Sequence, residues 1–229
     1  MTDRQLEGVR GCVFDAYGTL FDVNAAAAHC ADSLGDKWQP LAEIWRAKQL
    51  QYTWLRGLMG RHTTFWQVTQ DALDYAMASL SIDNAPLREQ LLELYFKLDA
   101  YPEVRDMLTA LKDGGLKTAI LSNGSPDMLQ AAVDNAGIGG VLDAVYSVED
   151  VGVFKPHPSV YELPVKGFGL TAGQMSFQSS NAWDANASKA FGYQVVWVNR
   201  FGQAEERIPD PPDLQIRDLT GLPAIVGAA

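Results

Sequence analysis

Apolar positions fall into two rhythms along this chain, and the change between them divides it. Near the N-terminus, Val9, Cys12, Val13 and Phe14 make a short apolar run that suits a buried strand. The run stops at Asp15, and Gly18 then lets the backbone turn. Helical spacing follows for a long way. Asp22 is placed to cap an alanine-rich helix that ends near Gly35. Pro40 opens a helix through about Leu58, with Ile44, Trp45, Leu50, Trp54 and Leu58 set among Arg46, Lys48 and Arg56. Thr64-Phe-Trp-Gln67 has the spacing of a capping box and starts a third helix, and Asn84-Ala-Pro86 starts a fourth. No strand pattern interrupts residues 22–98. They are expected to form a helical cap inserted into a core made of residues 1–21 and 99–229.

From Tyr101-Pro102 onward, helix and strand alternate. A helix over 102–113 ends at Gly114-Gly115, and strand patterns recur at 117–121, 144–147, 174–178 and 194–198. Helices between them open at Pro126 and Pro158 and follow Asp184. This alternation predicts an α/β fold, a mostly parallel sheet with helices on both faces. The tail, proline-rich over 209–212, reads as a surface crossing.

Bulk numbers narrow the function classes. The 229 residues are 47% hydrophobic, enough for a sizeable core. A formal net charge of -10 argues against nucleic acid, which is bound by clustered Lys and Arg. A small anionic substrate stays possible, because a few basic residues can focus a positive field in a cleft. Cys12 and Cys30 are too few for a disulfide framework and lack metal-type spacing. No signal-like or membrane-spanning apolar stretch is present, so the expected setting is cytoplasmic, with no membrane partner. His29, His62 and His157 lie far apart without ligand spacing, and no GxSxG elbow accompanies Ser179-Ser180.

In a sheet of this kind every strand-to-helix loop emerges on one edge. That edge collects Asp15 and Thr19, then Ser122 and Asn123, then Lys155, then Ser179, Ser180, Asn181 and Asp184. A cap inserted after the first strand hangs over the same edge and can exclude water.

Four segments in order, Asp15-Ala-Tyr-Gly-Thr19, Ser122-Asn-Gly-Ser125, Lys155-Pro-His-Pro158 and Ser179-Ser-Asn-Ala-Trp-Asp184, resemble the haloacid dehalogenase superfamily over nearly the whole chain. With Trp45-Arg-Ala-Lys-Gln-Leu-Gln-Tyr52 in the cap, the resemblance is specifically to the L-2-haloacid dehalogenases. It implies a Rossmann-like core. Two positions depart from the superfamily's magnesium-dependent phosphatases. Tyr17 stands where those enzymes carry a second Asp, a general acid for an alkoxide leaving group. Asn181 stands where they carry an acidic residue that helps hold the metal. A halide leaves without a proton, and a carboxylate attacking carbon is better left free of a cation. No metal and no cofactor are therefore expected.

The resemblance implies that Asp15 attacks the halogen-bearing carbon with inversion and forms an ester, which water then hydrolyses to a D-2-hydroxy acid. Lys155 is expected to keep Asp15 ionised. Asp184, helped by Asn181 and Ser179, is the candidate for activating water; its alternative is to cap the next helix and pair with Lys155. Thr19 and Ser122 are candidates to hydrogen-bond the Asp15 carboxylate. Arg46 and Asn123 match the halide-binding positions of the family. Tyr17, Leu50, Phe65 and Trp183 match its apolar wall, and Tyr161 is placed to support Lys155 or the lid. Ser122 with loop backbone donors is carried over as the holder of the substrate carboxylate. Relatives pair through their cap helices, so a homodimer is expected. The competing readings are a magnesium-dependent phosphatase of the same fold and a non-catalytic binding module. The latter leaves the joint presence of Asp15, Lys155, Asn181 and Asp184 unexplained.

Overall fold

The structure, a computed structural model, describes residues 5–23 and 31–228. Six parallel strands form one sheet in the order β3-β2-β1-β4-β5-β6. These are β1 (Gly11–Phe14), β2 (Lys117–Ser122), β3 (Ala144–Ser147), β4 (Met175–Ser179), β5 (Gln194–Val198) and β6 (Leu214–Ile216). Every residue of β1 and β4 is buried, so both sheet faces are covered, as is usual for central parallel strands.

Before the core continues come α1 (Ala31–Leu34), α2 (Trp38–Leu58), α3 (Phe65–Ser79) and α4 (Ala85–Phe96). The core helices are α5 (Val104–Asp113), α6 (Pro126–Ala136), α7 (Pro158–Phe168), α8 (Ala182–Phe191) and α9 (Leu222–Ile225). Pro40 falls in the first turn of α2 rather than at its start, where its missing N–H costs nothing. Thr64 caps α3 by accepting from Gln67 N–H, but only half of the expected box forms. The Gln67 side chain turns outward to Asp71 Oδ1 at 2.8 Å. Asn84 caps α4 at Leu87 N–H. The alanine-rich stretch expected to form a helix from Asp22 lies largely outside the described residues.

The chain leaves the core after Phe21 and returns beside itself. Phe21 bridges Ala100 in antiparallel fashion, Asp22 N–H donates to Asp99 O at 3.0 Å, and Tyr101 N–H donates to Leu20 O at 2.9 Å. The α2 and α3 helices pack along each other, and α4 rests on α6 of the core.

One expectation fails in the tail. Leu214–Ile216 is a sixth strand, with Leu214 paired to Val196 and Ile216 to Val198. Leu219, Leu222 and Val226 are then buried around α9. A three-residue strand after a run of prolines shows no alternation long enough to read in sequence.

Order along the sheet fixes where a ligand belongs. The chain builds β1, β2 and β3 toward one edge and then returns to add β4, β5 and β6 on the other side of β1. The direction reverses between β1 and β4, and the crevice outside their carboxyl ends is the binding position in such sheets.

Candidate active site

Asp15 is the first residue beyond β1, and residues 180–184 follow β4, so these two loops flank the reversal. Gly18 allows them to meet. It has φ +87, and a Cβ there would sit 3.1 Å from Ser180 Oγ. Thr19 Oγ1 accepts from Ser180 N–H at 2.8 Å and stitches the two loops together.

Asp15 is 7% exposed, and both of its oxygens are held. Lys155 Nζ donates to Oδ1 at 3.1 Å. Thr19 Oγ1 (3.1 Å) and Asn181 Nδ2 (2.9 Å) both donate to Oδ2. Lys155, 1% exposed, also donates to Asp184 Oδ2 at 2.8 Å. Tyr161 OH donates to the other Asp184 oxygen at 2.7 Å. One ammonium thus lies between two buried carboxylates, and the cluster carries a net negative charge.

Burial and these charges together set the proton affinities. Burial pulls the Lys155 pKa down, but the two carboxylates outweigh it and leave it above the ordinary 10.5. Burial raises the Asp184 carboxyl above the ordinary 3.8, with Lys155 opposing and Asp15 adding to the rise. Burial also drives the Tyr161 phenol far up, so it stays a donor.

The cap adds a second cation. Arg46, on α2, donates through Nη2 to Asn181 Oδ1 at 3.1 Å and through Nη1 to Gln49 Oε1 at 2.8 Å. The Asn181 amide therefore faces a cation with its oxygen and Asp15 with its nitrogen. A carboxylate at 181 would confront Asp15 with like charge. Asn123 Oδ1 accepts from Lys155 N–H at 3.0 Å, so this side chain braces the lysine's backbone.

Aromatic side chains close the space. Tyr17 stacks on Tyr95 (5.7 Å between centroids, 20°) and meets Phe65 at 5.8 Å. It also lies against Gly124, where a Cβ would come within 2.7 Å of the Tyr17 ring. The buried Tyr17 hydroxyl has no hydrogen-bond partner among the described residues. Leu50 is half-buried on α2, four residues from Arg46 and on the same helix face. Trp183 meets Trp54 edge-on at 5.4 Å. A mostly apolar cleft of about 680 Å³ runs between α2 and the loop before α7, with Trp54, Phe154, Lys155 and Trp183 in its wall.

Asp15, Thr19, Lys155, Asn181, Asp184 and Tyr161 thus form one hydrogen-bonded group, joined to Arg46 through Asn181. Two of the expected bonds go elsewhere. Ser122 Oγ accepts from Gly124 N–H at 3.0 Å and does not donate to Asp15, so it shapes its own loop. Ser179 Oγ likewise accepts from Asn181 N–H at 3.2 Å. Asp184 pairs with Lys155 but does not cap α8, whose N-cap is Asn181. Tyr161 is fully buried beneath Asp184, away from open space.

Sequence reasoning passed over Arg200. It is the second residue after β5; Nη2 donates to Thr19 O at 2.8 Å and pairs with Glu103 Oε1 at 2.7 Å, and its guanidinium lies 3.7 Å over Tyr101. It clamps the Thr19 loop where the chain crosses to the cap. The edge argument that collected the other loops applies equally to the loop after β5.

The donor set does not fit a divalent cation. Lys155 already lies between the two carboxylates, and an amide occupies position 181. Among the described residues no three His, Cys, Asp or Glu side chains come together as such a site needs.

Residues 9–192 match the family description of haloacid dehalogenase-like hydrolases. The chain is 41% identical to an (S)-2-haloacid dehalogenase of Pseudomonas sp. (strain YL), covering 95% of this chain and 94% of that one. It is 39% identical to haloacetate dehalogenase H-2 of Moraxella sp. (strain B), covering 92% and 95%. In three dimensions it superposes on L-2-haloacid dehalogenase from Xanthobacter autotrophicus with chloropropionic acid covalently bound. There the TM-score is 0.88 and the identity 37%, over 95% of this chain and 98% of that one.

Proposed function

Because the chain belongs to the haloacid dehalogenase-like hydrolase family, we propose that its sheet edge hydrolyses short L-2-haloalkanoic acids, haloacetates and L-2-halopropionates, to 2-hydroxy acids with inversion. The observation that carries this reading is the setting of Asp15. Its carboxyl group lies between an ammonium, a hydroxyl and an amide, with Tyr17 and Asn181 where a phosphatase needs acids.

Asp15 attacks the α-carbon from the side opposite the halogen. The C–O bond forms, and the halide leaves with the C–X electron pair. Of the two oxygens, Oδ1 has one donor and Oδ2 has two, so Oδ1 is the freer nucleophile. Oδ2 then becomes the ester carbonyl oxygen, already facing Thr19 Oγ1 and Asn181 Nδ2. Those donors stabilise the charge that develops when water adds to the carboxyl carbon. Asp184, whose raised pKa makes it a better base, takes the water's proton and returns it to the departing alkoxide. Asp15 is regenerated, and halide and one proton are released. Lys155 keeps Asp15 ionised before attack, and Tyr161 fixes Asp184.

Arg46 and Asn123 receive the halide; Tyr17, Leu50, Phe65 and Trp183 surround the substrate's alkyl group. Ser122 and nearby backbone donors hold the substrate carboxylate. Residues 22–98 act as the cap over the core. Exposed Leu55 on α2, Met59 just after it and Tyr75 on α3 support pairing of two copies through these helices, and the free, buried Cys12 suits a cytoplasmic setting. No helix among the described residues is long and apolar enough to cross a membrane.

The test is halide release from L-2-chloropropionate in the presence of a chelator, with the product's configuration determined. D-lactate is expected. Retention of configuration contradicts single displacement, and turnover of phosphate esters dependent on added magnesium would favour the phosphatase reading, against which Tyr17 and Asn181 stand.

A further inference from the structure

Gln49 takes no part in the chemistry assigned so far, yet its side chain is among the most completely satisfied in the cap. It is 1% exposed in the middle of α2. Oε1 accepts from Arg46 Nη1 at 2.8 Å and from Tyr95 OH at 3.2 Å. Nε2 donates to Thr69 Oγ1 at 2.8 Å, and that hydroxyl donates to Phe65 O at 2.8 Å. The Thr69 carbonyl in turn accepts from Trp45 Nε1 at 2.9 Å. An amide buried this deeply is costly unless its hydrogen bonds are made, so its orientation is fixed by α3 and α4 rather than by solvent.

Gln49 stands three residues after Arg46 and so shares its helix face. Its carbonyl holds one terminal nitrogen of the guanidinium while the other reaches Asn181 Oδ1 at 3.1 Å. The hydrogen bonds run without a break from Thr69 through Gln49, Arg46 and Asn181 to Asp15. A neutral acceptor is the one choice that aims a guanidinium without cancelling its charge. A carboxylate at 49 would hold Arg46 equally well and draw its field away from the site.

We propose that Gln49 is a positioning residue that aims Arg46 at the departing halide and leaves its charge uncompensated, and so sets how strongly the enzyme discriminates between leaving groups. This rests on the halide role of Arg46 given above. Chloride is the poorer leaving group than bromide and depends more on a fixed cation. Loosening or neutralising Arg46 therefore slows chloride departure more than bromide departure. Ester hydrolysis, in which the halide has already gone, is left alone.

The experiment compares wild type, Gln49→Leu, Gln49→Glu and Arg46→Lys with 2-chloro- and 2-bromopropionate. Rapid quench under excess enzyme separates alkylation of Asp15 from hydrolysis of the ester, and unfolding midpoints are measured alongside. Both Gln49 variants are expected to widen the bromide-to-chloride ratio of alkylation rates roughly tenfold, Gln49→Leu by loss of one charge-assisted hydrogen bond to Arg46 and Gln49→Glu by neutralising the guanidinium it still holds. Hydrolysis should stay within about twofold. Gln49→Glu keeps an oxygen acceptor of the same reach, so it shows the effect of neutralisation even if Gln49→Leu folds poorly. An unchanged ratio in both Gln49 variants, or equal slowing of both steps, overturns the proposal. If Arg46→Lys widens the ratio while the Gln49 variants do not, only the role of Gln49 falls. If Arg46→Lys leaves the ratio unchanged, the halide role of Arg46 falls with it.

Discussion

Five hydrogen bonds join Asp15, Thr19, Lys155, Asn181, Asp184 and Tyr161 on the sheet edge, whereas the cap's cation reaches that edge through one, from Arg46 Nη2 to Asn181 Oδ1. The edge residues belong to the core: Asp15 directly follows β1, Thr19, Lys155 and Asn181 lie on loops beyond β1, β3 and β4, and Tyr161 and Asp184 sit on α7 and α8. Arg46 sits on a helix whose own framework is Gln49, Thr69 and Tyr95. The bonds of the edge lie within the core, whereas the contribution of α2 passes through the single contact of Arg46 with Asn181. The difference teaches a division of labour. Under the proposed mechanism Asp15 and Lys155, which serve both half-reactions, belong to the core, and Arg46, which serves only halide departure, belongs to α2.

Lys155→Met tests that division most severely. It removes the ammonium and leaves two carboxylates buried without compensation, a change that costs about 3–5 kcal/mol in comparable buried pairs. Denaturant unfolding should show that loss, and both half-reactions should fall by more than about a thousandfold. A variant that lost only alkylation would break the division.

Arg46→Leu is the counterpart on the cap. Alkylation should slow by about a hundredfold while hydrolysis of the ester, once formed, keeps its rate. Single-turnover quench with bromopropionate separates the two. Equal slowing would mean the cap serves both steps.

Tyr161→Phe sharpens the edge side alone. Asp184 loses one donor, worth about 1 kcal/mol, and hydrolysis should slow roughly fivefold to tenfold with alkylation little changed. Accumulation of ester during steady state is the readout.

The smallest effect is in pH dependence. Asp184, with its pKa raised above 3.8, should place the acid limb of hydrolysis above that value, and alkylation should not share that limb. Lys155, raised above 10.5, stays an ammonium through the neutral range. Its stabilising contribution is whole below 10.5 and is lost only as pH rises through the higher folded value. Stopped-flow profiles of each step, with unfolding midpoints against pH, check both limbs.

How much of this was legible follows the same division. The strands of the edge announce themselves as short apolar or mixed runs that stop at Asp15, Ser122 and Ser179, and one rule about parallel sheets gathers the loops into a site. Thr19, Lys155 and Asn181 could be placed beside Asp15 for that reason. The expected bond from Ser122 to Asp15 does not form, because a hydroxyl after a strand has two near choices, the site or its own turn. Residue type does not distinguish them, and Gly124 N–H proved the nearer. The β6 strand was missed because three residues carry no period. Gln49 and Arg200 were missed for a different reason: their partners, Tyr95 with Thr69 and Glu103 with Thr19 O, lie far away in sequence. Only packing brings them together.

The central claim is that Asp15 carries the substrate as an ester and that water attacks its carboxyl carbon. One turnover in water enriched in heavy oxygen, with enzyme in excess, tests it directly. The label should appear in the side chain of Asp15, found by mass spectrometry of the peptide that contains it, while the 2-hydroxy acid carries ordinary oxygen. Label in the hydroxy acid with Asp15 unlabelled would contradict the claim, because water would then have displaced the halide itself.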